Sequence, residues 1–211
     1  VKFNLSKDFM MRDTKIFQVE FDSTNPEIIF ADMWEHREGP WENSSFQGIN
    51  SGLYKSIDGG NSWKKLTQGL PTGEQGLGRI GFGISPSNSK RMYATVDARD
   101  QSGLYRSDDG GISWSLPNGP AGGPYTTDHV NLAIGWATWT YHQGFYNCAL
   151  AASPTNPDEI LVGGLNLYRS SDGGATFTPV AGYVGGPLGM HVDMQDFRTI
   201  GSTRDKRRFN R

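Results

Sequence analysis

The sequence predicts an all-β fold: a β-propeller of four-stranded antiparallel blades, with about three blades and part of a fourth in 211 residues. Three observations carry this expectation. A turn signature recurs as SIDGGNSW (56–63), SDDGGISW (107–114) and SSDGGATF (170–177). The same strand text leads into each copy: SGLYKS (51–56), SGLYRS (102–107) and LNLYRS (165–170). Further upstream, an Asn-containing turn opens an apolar run in FDSTNPEIIFADMW (21–34), ISPSNSKRMYATV (84–96) and ASPTNPDEILVGG (152–164). Asp58 and Asp109 are 51 residues apart, and Asp109 and Asp172 are 63 apart. Such periods suit blades of four short strands. Helical periodicity is absent over any long window.

Taken in order, residues 1–14 form an N-terminal segment that can add a strand to a neighbouring blade. Blade one is expected over 15–75 and blade two over 76–120. An inserted aromatic segment follows at 121–142, then blade three at 143–188. Residues 189–211 read as the first strand of a further blade and a basic tail, RDKRRFNR. A closed propeller needs ~4–8 blades, so the rest of the propeller or a partner chain is expected to close it. The chain opens on Val1 rather than Met, and an upstream piece is expected.

The turn residues have physical roles. An Asp side chain accepts bonds from backbone N–H groups just ahead and locks the corner. The paired glycines permit the positive φ that a tight hairpin requires. Leu53, Leu104 and Leu167 alternate with Tyr54, Tyr105 and Tyr168. Both faces of that strand are therefore apolar, as in a blade sandwiched between neighbours.

Composition excludes several classes. Net charge is -2, so no nucleic-acid partner is expected. No apolar run reaches the ~20 residues of a membrane-spanning helix. Cys148 is the single cysteine, so no internal disulfide can form. Glycine is the outlier at 28 residues, in keeping with a turn-rich chain.

The octapeptides resemble the Asp-box, or BNR, repeat S-x-D-x-G-x-x-W of sialidases, sortilin/VPS10 propellers and xyloglucanase-like glycoside hydrolases. The text around them, NPEIIFADMWEHREGPW and QGFYNCALAASPTNPDEILVGGLNLYRSSDGGATF, is most similar to large exported sortilin-like BNR proteins of bacteria. The resemblance spans about residues 15–197. It implies a propeller, an exported (periplasmic or extracellular) location, and turns on the outer edge, away from the central site.

Ser56, Asp58, Gly60 and Trp63 are accordingly expected to be structural, as are Ser107, Asp109, Gly111 and Trp114, and Ser170, Asp172, Gly174 and Phe177. A calcium loop needs several oxygen ligands at alternate positions, and SIDGGNSW offers one carboxylate. Asp108 is Ile57 in the first copy and Ser171 in the third, so the repeat does not require it.

Function is sought where the repeat breaks. Loop 35–50 carries Trp34 and Trp41 at its mouth, with Glu35 beside them. Segment 121–147 holds Trp136, Trp139, Tyr141 and His142. Aromatic rings beside charged groups suit sugar or peptide recognition. HVDMQD (191–196) places His191 and Asp193 on one strand face, with Asp196 on the other. Gln195 stands where related sequences carry a second histidine, so no metal is expected, and no cofactor.

The expected function is a binding or scaffolding propeller for a glycan or protein ligand, acting alone or as a subunit of a larger, membrane-associated complex. The alternative is a glycoside hydrolase of the xyloglucanase-like kind. That chemistry needs two carboxylates flanking a sugar, for which Asp193, Asp196 and Glu35 are the candidates. A sialidase is disfavoured, because Arg79-Ile80 is followed by Gly81 rather than proline.

Overall fold

The computed structural model describes residues 14–36, 47–99, 101–119, 144, 146–164, 166–182, 188–189 and 194–197. Among the described residues, twelve strands form three sheets, with a 3-10 turn at Gly73–Gln75. The first sheet runs in chain order through β1 (Thr14–Phe21), β2 (Ile29–Glu35), β3 (Gly52–Ser56) and β4 (Lys64–Lys65). The second contains β5 (Leu77–Ile84), β6 (Met92–Ala98) and β7 (Gly103–Ser107). The third contains β8 (Ala149–Ala152), β9 (Ile160–Gly163), β10 (Asn166–Ser170), β11 (Thr178–Gly182) and β12 (Leu188–Gly189). These are the blades of a partial β-propeller, each a meander from an inner to an outer strand.

The blades superpose residue by residue in their ladders. Phe30 pairs with Lys55 as Tyr93 pairs with Arg106 and Leu161 with Arg169. Each Asn turn closes alike: Asn25, Asn88 and Asn156 accept through Oδ1 from the N–H two residues on, at 3.1, 3.2 and 3.1 Å. Each Asp turn is then tied to the Asn turn of its own blade. Gly59, Gly110 and Gly173 donate their N–H groups to the carbonyls of Glu27, Lys90 and Asp158.

The expected four-stranded antiparallel pattern is complete in the first and third blades. In the second, the outer strand shrinks to one bridge, Arg106↔Ser115. In the first blade, Leu66 donates its N–H to Leu53 O at 2.8 Å. Pro117 occupies that ladder position in the second blade and has no N–H to give. In the third blade a fifth strand, β12, pairs parallel to β11.

The further first strand expected over 189–201 lies mostly outside the described residues; within it Gly189 closes β12. Residues 194–197 form no strand. Instead Met194 and Phe197 lie over Gly163 of β9, where an added Cβ would sit 2.9 and 2.5 Å from them. The missing side chain lets this segment pack flat on the third blade.

The core lies between blades. Phe30, Leu53 and Leu66 of the first pack with Leu77, Ile80, Phe82 and Tyr105 of the second. Tyr93 and Leu104 of the second pack with Leu150, Ile160 and Val162 of the third. Two devices bring the inner strands together. Gln18 on β1 donates to Phe82 O at 2.7 Å and accepts from Phe82 N–H at 3.1 Å, so its amide acts as a peptide group of a neighbouring strand. Gly81 on β5 meets the Cys148 carbonyl so closely that a Cβ would lie 1.9 Å from it.

Candidate functional site

In a meander, alternate connections fall at opposite ends of the sheet. The Asn and Asp turns, which join first to second and third to fourth strands, share one end. The other end carries the connections between second and third strands and those from blade to blade. Loop 36–51 and the connection from the second blade to the third therefore start and finish at this same end.

Two β-bulges meet there. One displaces Phe17 in β1, and the other places Gly78 and Arg79 in the register gap between Leu77 and Ile80 of β5. Bulges re-aim side chains and are frequent beside functional sites. The Arg79 guanidinium lies 3.5 Å from the Phe17 ring centroid. Phe17 meets Trp34 edge-on at 6.0 Å, and Trp34 stacks on His36 at 4.0 Å. A cation and three rings thus run across the first two blades.

Arg79 also reaches the third blade. Its Nη1 donates to Tyr146 O at 2.7 Å, and its Nη2 to Gln195 O at 3.4 Å. The first strand of blade two is thereby joined to the HVDMQD stretch and to the end of segment 121–147.

Two buried acids accompany Arg79. Asp32 on β2 is fully buried; its Oδ2 accepts from Ile80 N–H at 3.4 Å, while its Oδ1 accepts no hydrogen bond among the described residues. Burial holds its carboxyl well above the usual carboxylate range, offset in part by the Ile80 N–H and by Arg79. Asp97 on β6 is roofed by Gly144, whose added Cβ would lie 2.7 Å from its Oδ1. Burial raises the Asp97 carboxyl to about 7, against the pull of Arg79.

The residues singled out from sequence fare unequally. Trp34 is buried under His36 and Phe17, so its ring serves the stack rather than an open surface. Glu35 accepts from Asn50 N–H at 2.9 Å and ties down the far end of its own loop. Asp196 is exposed and lies within electrostatic reach of Arg79. Trp41, Trp136, Trp139, Tyr141, His142, His191 and Asp193 lie outside the described residues. Among the described residues no group of three or more His, Cys, Asp or Glu converges as a metal site.

Sequence reading passed over Asp32, Asp97, Phe17 and Arg79 as a cluster. A signal was present in FADMW and ATVDA, each an acid inside an apolar strand.

The turn aspartates form closed local networks. Asp109 Oδ1 accepts from Ser113 N–H at 2.9 Å and from Ser107 Oγ at 2.8 Å, and its Oδ2 accepts from Ser113 Oγ at 2.5 Å. Asp58 repeats this with Ser62 and Ser56, and Asp172 with Thr176 and Ser170. All three carboxyls are lowered to about 2; hydrogen bonds from the Ser62 and Thr176 hydroxyls lead for Asp58 and Asp172, while at Asp109 those bonds outweigh an opposing burial effect. The indole N–H groups of Trp63 and Trp114 bond back to Gly60 O and Gly111 O.

Fold and end-face cluster together define a β-propeller segment with a charged, aromatic end. No family model matches the chain. It is 30% identical to a xyloglucanase of Paenibacillus sp over 158 residues, covering 70% of this chain and 15% of that protein. It is 28% identical to the xyloglucanase Xgh74A of Acetivibrio thermocellus over 152 residues, covering 66% of this chain and 17% of that one. The chain thus spans well under a fifth of these relatives' length. Similar solved structures include a GH74 enzyme of Niastella koreensis, with TM-score 0.45, 22% identity and coverage of 78% of this chain and 22% of that one. YCF48 from Cyanidioschyzon merolae is another, with TM-score 0.45, 13% identity and coverage of 79% and 40%.

Proposed function

We propose that this chain supplies blades to a glycan-binding propeller, and that a β-glucan of the xyloglucan type binds at the end carrying loop 36–51 and segment 121–147. The observation that carries this reading is the match to a xyloglucanase at 30% identity over 158 residues. The aromatic content of the two connections supports it, because ring faces stack on the C–H surfaces of sugars. The three Asp-Gly-Gly turns are Asp-box (BNR) repeats in this reading, with a structural task. A polymeric glucan lies outside the cell, so the reading includes export.

The test is isothermal titration of the protein with xyloglucan oligosaccharides. Trp139→Ala and Trp41→Ala are expected to weaken binding tenfold or more. Absence of binding to any β-glucan would refute it.

A second reading, hydrolysis, rests on the same match, because both curated relatives are xyloglucanases. Asp97, buried under Gly144 beside Arg79 and with its carboxyl raised by burial to about 7, is its candidate acid. Asp196, exposed near the same arginine, is the candidate second carboxylate. Reducing-end release from xyloglucan that disappears in Asp97→Asn, while binding persists, would support this reading over binding alone.

A further inference from the structure

The two seams between blades carry different side chains at their outer edge. In the second seam those side chains are satisfied within the protein. Arg106 donates from Nη1 to Gly173 O at 3.2 Å and pairs with Asp108 at 3.2 Å. Asn118 donates from Nδ2 to Ala175 O at 2.7 Å.

In the first seam, Lys55 holds the ladder position of Arg106 and donates from Nζ to Gly110 O at 2.8 Å. Ile57 stands where Asp108 stands in the second turn, so the acid beside the cation is lost. Lys64 takes the place of Ser115 and lies directly across the ladder from Lys55, on the same face. Thr67 and Ile112 take the places of Asn118 and Ala175. A cleft of about 370 Å³ lies here, bordered by Lys55, Lys64, Ile57, Gln68 and Ile112 and by no acidic side chain among the described residues. Ligand clefts run to ~300–1,000 Å³.

The charge of this cleft is uncompensated. Like charges directly opposite on a ladder repel. Neither lysine has a carboxylate within ion-pair distance among the described residues. Asp22 and Asp109 act on Lys55 only through space, and both are engaged in their own turns by Thr24 and Ser113. An ammonium has three donors, so Lys55 keeps capacity beyond its bond to Gly110. The rim is apolar and open: Ile57 is 71% exposed and Ile112 61%, on the turns of adjacent blades. Exposed apolar surface rimmed by charge marks interaction sites.

We propose that this cleft docks an extended acidic segment of a partner protein, with carboxylates on Lys55 and Lys64 and one apolar side chain between Ile57 and Ile112. Charge complementarity selects the acids, and the isoleucine pair selects the apolar residue. Trp63 borders the cleft, but its counterpart Trp114 packs back on the preceding blade with Phe30 and Leu66, so the indole face belongs to the other side of its sheet. The cleft therefore suits a peptide better than a sugar ring. It lies at the end of the Asn and Asp turns, opposite the proposed glycan end, and does not rest on that reading.

Fluorescence anisotropy of the whole chain with a labelled peptide, Glu-Glu-Leu-Glu-Glu, tests this. The peptide is expected to bind, more weakly as salt rises, and Gln-Gln-Leu-Gln-Gln is expected not to bind. Lys64→Glu, at an exposed position without a protein partner among the described residues, is expected to weaken binding tenfold or more, and Lys64→Arg to retain it. Ile57→Asp, which copies the second blade, is expected to weaken it as well by pairing with Lys55. Circular dichroism confirms that the variants fold. Titration with xyloglucan oligosaccharides is expected to be unchanged in Lys64→Glu, which separates this site from the glycan end. Failure of the acidic peptide to bind overturns the proposal, as does binding indifferent to Lys64→Glu and Ile57→Asp. Binding of oligogalacturonate in place of the peptide, lost in the same variants, overturns the peptide and assigns the cleft to an acidic sugar.

Discussion

At the scale of single residues, the acids divide into two populations with opposite pH behaviour. Asp109 is held low, at about 2, by its turn. The stability it contributes is complete above the usual carboxylate value near ~4 and is lost as pH falls through about 2. Asp109→Ala is expected to cost about 0.5–2 kcal/mol at neutral pH, by analogy with loss of a capping side chain. Urea unfolding measures this, and the wild-type and variant curves should converge toward pH 2. Asp97 is the reverse case. Its folded value of about 7 lies above the unfolded one, so stability falls as pH rises from about 4 to about 7 and is flat beyond. Asp97→Asn is expected to remove this fall and to be more stable than the parent at pH 8. An unchanged pH profile of thermal unfolding would contradict it. Asp108 shows a different limit of sequence reading. The repeat does not keep it, yet it pairs with Arg91 at 2.5 Å and Arg106 at 3.2 Å, the two side chains that reach Asp158 and Gly173 of the third blade.

At the scale of elements, the strands approach where side chains are missing. Gly81→Ala is expected to destabilise by several kcal/mol, because its Cβ would meet the Cys148 backbone, which cannot swing aside. Gly164→Ala is the control: nothing lies within 4 Å of its Cβ, and a change under about 0.5 kcal/mol is expected. Gly111→Ala falls between, with φ at +85° and Phe30 at 3.0 Å from the added Cβ. The turns, with their Ser-Asp-Gly-Gly chemistry, were legible in the sequence because the bonds of their Ser and Asp side chains close within eight residues. The outer strand of blade two was not, because one proline removes the N–H that would have extended it. The candidate site was legible only as three stretches that break the repeat. Their meeting at one end follows from strand direction, and the Arg79 bridge between them follows from a bulge that no local pattern announces.

At the scale of the whole molecule, stability resides between blades. Arg91 bridges Asp108 of the second blade and Asp158 of the third, and Arg106 reaches Gly173 across the same seam. Arg106→Ala is expected to lower amide protection in β8–β11 while leaving β1–β3 unchanged. Hydrogen-exchange mass spectrometry reads this directly, and a uniform loss across all three sheets would show that the blades unfold as one unit.

By itself the sequence determined the repeat, the four-strand unit and the chemistry of every Asn and Asp turn. Those features are closed by bonds among residues near in the chain, so local text is sufficient to specify them. Only the tertiary structure decided that Lys55 and Arg106 serve the next blade's turn, and that Asp32, Arg79 and Asp97 share one end. The same holds for Trp34, which lies inside a stack rather than on a surface. These outcomes depend on register and bulge positions across strands tens of residues apart. A shift of one residue in pairing would send each of those side chains to the opposite face.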